Sequence, residues 1–273
     1  MTTEGSEPDG PPLIELRGVK KSFGAVQAVN GVDLKVMQGK VTALVGDNGA
    51  GKSSLIKTIA GLWEQDAGEI LWEGEPVRLR SPKESEGLGI TTIYQDLALC
   101  DNLDIVQNMF LGHEVLRHFT LDEGSMEITA KKILAELEVT TVRSVRQPVA
   151  SLSGGQRQSV AVAKAVMAQA KLVIMDEPTA ALGVSQTAQV LALIKRLAEG
   201  GTTVLMISHN LNDVFEVADW IAVLRLGRIV VEGPIETFDS SVVVDYMTTG
   251  RSERALAGSG SASGSGSGSG SGQ

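Results

Sequence analysis

The sequence predicts an α/β fold: a mostly parallel central sheet, an antiparallel β layer near the N-terminus, and a helical subdomain inserted into the core. Three observations carry that expectation. Residues 41–45, 172–175 and 203–207 are short, continuously apolar runs, the pattern of strands buried on both faces. Between the last two, residues 185–199 place Val190, Leu191, Leu193, Ile194 and Leu197 at helical spacing, and Gly200-Gly201 stops the run. Strand, helix, strand in that order favours a parallel sheet.

The remaining elements follow along the chain. Residues 1–12 are polar, acidic and rich in Gly and Pro, and read as a disordered leader. Residues 14–19 and 29–36 alternate apolar and polar, as does 68–72 before the turn Glu73-Gly74, giving the antiparallel layer. Residues 52–61 read as a helix closed by a glycine. The stretch from about 96 to 149 is mostly helical in pattern, clearest at 128–137, and has no buried-strand run; the helical subdomain is set at about 96–160. Residues 251–273 are almost all Gly and Ser towards their end and read as a flexible tail.

Composition limits the function. The chain has 273 residues, with 24 Lys and Arg against 33 Asp and Glu, a net charge of −9. An acidic surface is poorly suited to displacing counterions from nucleic acid, so no nucleic-acid partner is expected. The single Cys100 excludes an intrachain disulfide and fits a reducing compartment, where it reads as a packing residue. No apolar run approaches the roughly 18 residues of a membrane span, and the start lacks a signal-peptide pattern. A cytosolic polypeptide is expected, meeting a membrane only through a partner.

The chemistry begins at Gly46-Asp47-Asn48-Gly49-Ala50-Gly51-Lys52-Ser53, with Ser54 following. This is G-x-x-x-x-G-K-[ST] between a buried strand and a helix, the context a phosphate-binding loop requires. Its glycines let backbone N–H groups converge on phosphate oxygens, and the helix start adds its dipole. Lys52 should reach the β- and γ-phosphates of ATP, and Ser53 should hold Mg²⁺. Asp176 ends a buried strand, where a carboxylate is costly unless paired or held to a metal, and it fits a second Mg²⁺ contact through water. Glu177 should point differently, towards the γ-phosphate, as general base for the attacking water. His209 lies at a strand end, where open parallel sheets bind ligands, and would hold the water and Glu177 in register. His113 and His118 have no such support.

These strings, with Leu152-Ser153-Gly154-Gly155-Gln156 downstream of the phosphate loop, resemble the ATP-binding subunits of ABC transporters over about residues 13–248. The resemblance implies that Ser153, Gly154, Gly155 and Gln156 face the γ-phosphate bound to a second copy, two ATPs being sandwiched in a head-to-tail dimer. It implies that Gln95 contacts Mg²⁺ or the water and reports nucleotide state to the inserted subdomain, and that Phe23 stacks on adenine. One departure stands out: Ala181-Leu182 is followed by Gly183, where the family usually has Asp.

Finer strings (residues 21–28, 93–99 and 175–184) are similar to the ATPases of bacterial monosaccharide importers, in the single-domain fructose- and ribose-type branch. That implies integral-membrane permease subunits as partners, a sugar-binding protein acting indirectly, and a place on the cytoplasmic face of the cell membrane. An importer of another solute, such as an amino acid, stays open. A non-transport ABC ATPase fits less well, because neither a second ATPase half nor long coiled coils are present.

Overall fold

A computed structural model describes residues 10–251; of the expected leader 1–12 and tail 251–273, residues 1–9 and 252–273 lie outside the described residues, and Pro12, expected in the leader, already belongs to a strand. Strand β1 (Pro12–Phe23) pairs antiparallel with β2 (Val26–Met37) on one side and with β4 (Ala67–Trp72) on the other. A short β5 (Glu75–Val77) completes this four-stranded layer in the order β2-β1-β4-β5. Between β2 and β4 the chain forms β3 (Val41–Val45) and helix α1 (Lys52–Ile59). After β5 come α2 (Pro82–Gly87), β6 (Ile90–Ile93) and α3 (Ile105–Phe110).

A small hairpin, β7 (Leu116–Arg117) and β8 (Thr120–Leu121), precedes α4 (Glu123–Glu136) and α5 (Gly154–Met167). The core resumes with β9 (Leu172–Asp176), α6 (Val184–Glu199), β10 (Thr203–Ile207) and α7 (Leu211–Val217). It closes with β11 (Trp220–Arg225), β12 (Arg228–Pro234) and α8 (Ser240–Thr249). The six-stranded sheet runs β12-β11-β3-β10-β9-β6, parallel except where β12 turns back on β11.

The apolar runs, interrupted only by the buried Thr42 and Thr203, have a direct cause: each strand feeds two cores. Val41, Ala43 and Val45 of β3 face the helices, as do Val173 and Met175 of β9 and Val204 and Met206 of β10. Leu44, Leu172, Ile174, Leu205 and Ile207 face the opposite way, packing with Leu55, Ile56 and Ile59 of α1 and with the antiparallel layer. Alternate residues therefore point to opposite faces, and both faces are covered. Helix α1 is clamped between sheet and layer, which fixes the loop that precedes it.

Two departures from expectation are informative. Strand β11, second from one edge and beside β3, is an addition to the expected strands, formed by the buried run Ile221, Ala222, Val223 and Leu224. The insertion is less helical than expected: between 96 and 149 only α3 and α4 are α-helices, with a hairpin and irregular chain around them. Arg146 ties that chain down, reaching Glu127 at 2.8 Å, Glu123 at 3.2 Å and Asp104 at 3.4 Å. In α4 the buried stripe is Met126, Ala130, Ile133 and Leu134, while Ile128 is exposed.

Candidate nucleotide site

The register of the parallel strands gathers the expected residues at one end of the sheet. Ile207 is level with Asp176 and with Leu44, and Ile93 is level with Met175. The chain therefore leaves β3 into Gly46, β9 into Glu177, β10 into Ser208 and His209, and β6 into Tyr94 and Gln95 at neighbouring positions. All four exits lie at the carboxyl ends of the strands, the side on which open α/β sheets bind ligands.

The phosphate loop is set by backbone packing. A Cβ at Gly46 would lie 2.2 Å from the Leu224 carbonyl oxygen, and one at Gly51 2.2 Å from that of Ala28. Gly51 also has φ +107, a region costly for L side chains. Asp47, Asn48 and Gly49 are exposed at the crest, while Ala50 is buried beneath. Lys52 is buried, and its Nζ donates to Gly46 O at 2.6 Å and Asp47 O at 3.1 Å. An ammonium held inside a turn at a helix start makes an anion site. Ser53 is exposed and Ser54 half-buried on the first turn of α1.

The two adjacent acids diverge because the backbone changes hand between them. Asp176 ends β9, whereas Glu177 takes φ +52, an outlier for a residue with a side chain. The Glu177 N–H donates to Ile207 O at 2.9 Å, so the turn stays tied to β10. Its carboxylate Oε2 lies 2.8 Å from Nδ1 of His209. Glu177 is mostly shielded from solvent, and His209 is 65 % exposed, leaving the outer edge of the ring open. Burial, and then the charge of Glu177, push the Asp176 carboxyl above its ordinary range, while Lys52 and Lys57 pull it back. That carboxylate, close enough to α1 to feel Lys52 and Lys57, fits a divalent cation, whose charge would offset its desolvation.

Tyr94 stands at the exit of β6, its hydroxyl pushed up by burial, drawn back by a hydrogen bond with Thr92 and raised further by the charge of Asp176. Gln95 follows and is exposed. Phe23 is 41 % exposed and meets Trp63 edge-on, ring centroids 4.6 Å apart, with the Lys21 ammonium 5.8 Å from its ring. Trp63, itself covered by the Lys57 ammonium at 4.8 Å, was not identified from sequence; forty residues from Phe23, it carries no motif of its own.

The Leu152–Gln156 segment is the N-terminus of α5. Ser153 is the N-cap, its Oγ 3.4 Å from the Gln156 N–H, and Gln156 Oε1 accepts from Ser153 N at 2.9 Å. Gln156 Nε2 donates to Thr141 O at 2.6 Å, so both ends of that amide are engaged within the chain. Ser153 and Gly154 are exposed. A groove of about 560 Å³ opens elsewhere, between the edge strand β6 and the C-terminal half of α5, lined by Thr92, Tyr94, Leu97, Phe110, His113 and Met167 among others.

Residues 29–180 match the sequence profile of the ABC transporter family. The xylose/arabinose import ATP-binding protein XylG of Sulfolobus acidocaldarius is 46% identical over 87% of this chain and 94% of its own length. The fructose import ATP-binding protein FrcA of Rhizobium meliloti is 45% identical over 87% and 94%. Among solved structures, a nucleotide-free ATP-binding cassette from an ABC transporter superposes with a TM-score of 0.76 at 28% identity, covering 86% of this chain and 98% of that one. With a phosphate loop, a strand-end acid pair and a family match over more than half its length, this chain belongs to the ABC transporter family, as an ATP-binding cassette that hydrolyses ATP.

Proposed function

We propose that the chain powers a monosaccharide importer, two copies docking head to tail beneath permease subunits at the cytoplasmic face of the membrane. The observation that carries the catalytic part is the Glu177–His209 contact at 2.8 Å, at the strand ends beside the phosphate loop. Lys52 and the loop amides hold the phosphates, and Phe23 offers a ring face to adenine. Ser53, Asp176 and Gln95 would hold Mg²⁺, which when bound offsets the charge of the phosphate oxygens. Glu177 takes the proton of the attacking water, and His209 holds that carboxylate in place. The sugar assignment rests on XylG and FrcA, whose names specify xylose, arabinose and fructose.

Among the described residues no helix is long and apolar enough to cross a membrane; in this reading the membrane-embedded path is supplied by the permease subunits. The groove beside Gln95 is where a permease segment would sit, with Tyr94 and Leu97 carrying nucleotide state into it. Ser153 and the amides of Gly154 and Gly155 serve the ATP of the second copy. Gln156 fixes the shape of that loop, since its own amide is already used.

Light scattering after size-exclusion chromatography tests the shared site. Glu177→Gln should run as a monomer alone and as a dimer with Mg-ATP, with hydrolysis slowed by about 10²–10⁴-fold. Hydrolysis at the parental rate would overturn the general-base role. A monomer under both conditions would count against a sandwich formed by the chain alone.

A further inference from the structure

The structure assigns a positioning role to Asp213, a residue outside the motifs above: it anchors the loop that leaves Glu177 to the helix that follows His209. Asp213 lies in the first turn of α7 and is buried, at 6% exposure. Its Oδ2 accepts from Thr179 Oγ1 at 2.6 Å, across 34 residues of sequence. A buried carboxylate is retained at a cost unless it is hydrogen-bonded, and this bond joins two segments that each carry a reacting or positioning group.

The need for such an anchor is visible in the backbone. Glu177 and Ala181 both take positive φ, +52 and +60, and Thr179 lies midway between them. Strained residues persist only where their surroundings over-determine them. Glu177 is tied on one side through its N–H to Ile207 O, and its own carbonyl accepts from Ala180 N at 3.1 Å. The Thr179–Asp213 bond supplies the fixed point two residues beyond. On the other strand, Asn210 N donates to Ser208 Oγ at 3.0 Å and the Asn210 side chain caps α7, so His209 sits in a short rigid turn. Locking α7 to Thr179 therefore sets the distance between His209 and Glu177. Without the lock, Glu177 relaxes towards ordinary φ and its carboxylate leaves the imidazole.

The same loop runs on to Leu182 and Gln186, the side chains nearest Gly154 and Gly155. One anchor thus registers both the general base and the backing of the Ser153 loop. Gly183, lacking the carboxylate usual in the family, leaves the loop dependent on Thr179 for a carboxylate tie.

This inference rests on Glu177 as general base, and the experiment separates the two. Steady-state ATP hydrolysis is measured for the full chain and for Thr179→Val, Thr179→Ser and Glu177→Gln, each with its melting temperature. Thr179→Val should lower kcat about tenfold or more while KM for ATP moves less than about twofold, because positioning is lost and binding is not. Thr179→Ser, which restores the hydroxyl, should recover most of the rate. Parental kcat in Thr179→Val, or equal losses in the Val and Ser variants, would overturn the assignment. If Thr179→Val does not fold, Asp213→Asn and Asp213→Ala carry the test. Asn keeps an acceptor and should stay well above Ala in kcat; equal rates overturn it. Parental rate in Glu177→Gln would instead overturn the general base itself.

Discussion

The chain carries two glycine loops at helix starts, and they are built in opposite ways. In the phosphate loop, Gly46 and Gly51 are hemmed in by backbone: carbonyl oxygens of Leu224 and Ala28 would each lie 2.2 Å from an added Cβ. Backbone cannot step aside, so the fold itself demands those glycines. In the Ser153 loop, Gly154 and Gly155 are the first residues of α5 and have no positive φ. A Cβ at Gly155 would meet Gln186 Cβ at 3.1 Å, a close helix-to-helix approach. A Cβ at Gly154 would meet the Leu182 methyl at 2.7 Å and Gln186 Oε1 at 3.9 Å, both movable ends of side chains. With no positive φ and only movable side-chain atoms in the way, the fold gains little from a glycine at Gly154. On the proposed reading its small size serves the ATP of the second copy, which would approach this exposed surface.

The largest expected effect comes from exchanging that freedom. Gly51→Ala should cost about 3 kcal/mol or more, combining a left-handed backbone with a clash against a fixed carbonyl. Its melting temperature and its ATP affinity should fall together. Gly154→Ala should melt no lower than the parent and bind ATP as tightly, yet hydrolyse it about 100-fold more slowly, as when a donor to developing charge is displaced. Thermal scans, ATP titration and steady-state rates on both variants measure the contrast. If Gly154→Ala kept its rate, the loop would serve only the fold.

A mixing experiment sharpens the same comparison with a smaller signal. Lys52→Ala disables the phosphate side, and Ser153→Ala disables the facing side. Each alone should be inactive. In a head-to-tail pair, equal mixing gives half mixed dimers, each with one intact composite site, so about a quarter of parental activity should return. No recovery on mixing would mean that Ser153 acts on the ATP of its own chain.

How far the sequence reached depends on whether a residue's role is local. Residues 41–45, 172–175 and 203–207 were legible because burial on both faces leaves few polar positions, Thr42 and Thr203 being the exceptions. The phosphate loop was legible because glycine spacing and the strand before it are local. Strand β11 escaped notice: its four apolar residues, squeezed between Trp220 and Arg225, resemble any short buried run until β3 is seen beside them. The helical pattern over 128–137 was legible, but not which face α4 buries: Ile128 is exposed because that face is chosen by α3 and α5. The Thr179–Asp213 bond could not be read at all, because neither residue type announces a partner 34 positions away. Contacts set by tertiary register are invisible to local pattern, and here they position groups that the motifs only name.

The smallest effect concerns Gln156, expected from sequence among the nucleotide-binding residues and engaged at both ends of its amide by Ser153 N and Thr141 O. If its part is to shape the loop, Gln156→Ala loses a cap and a tie, worth about 1–2 kcal/mol together. For a domain of this size that lowers the melting temperature by about 2–8 °C. Gln156→Glu keeps the acceptor for Ser153 N and loses the donor to Thr141 O, so it should fall between. ATP hydrolysis in both variants should follow the melting temperature, with the Glu variant the faster. A variant that melted with the parent but hydrolysed ATP slowly would put the Gln156 side chain against nucleotide, and the loop would then read its ligand through a side chain as well as through Ser153 and backbone amides.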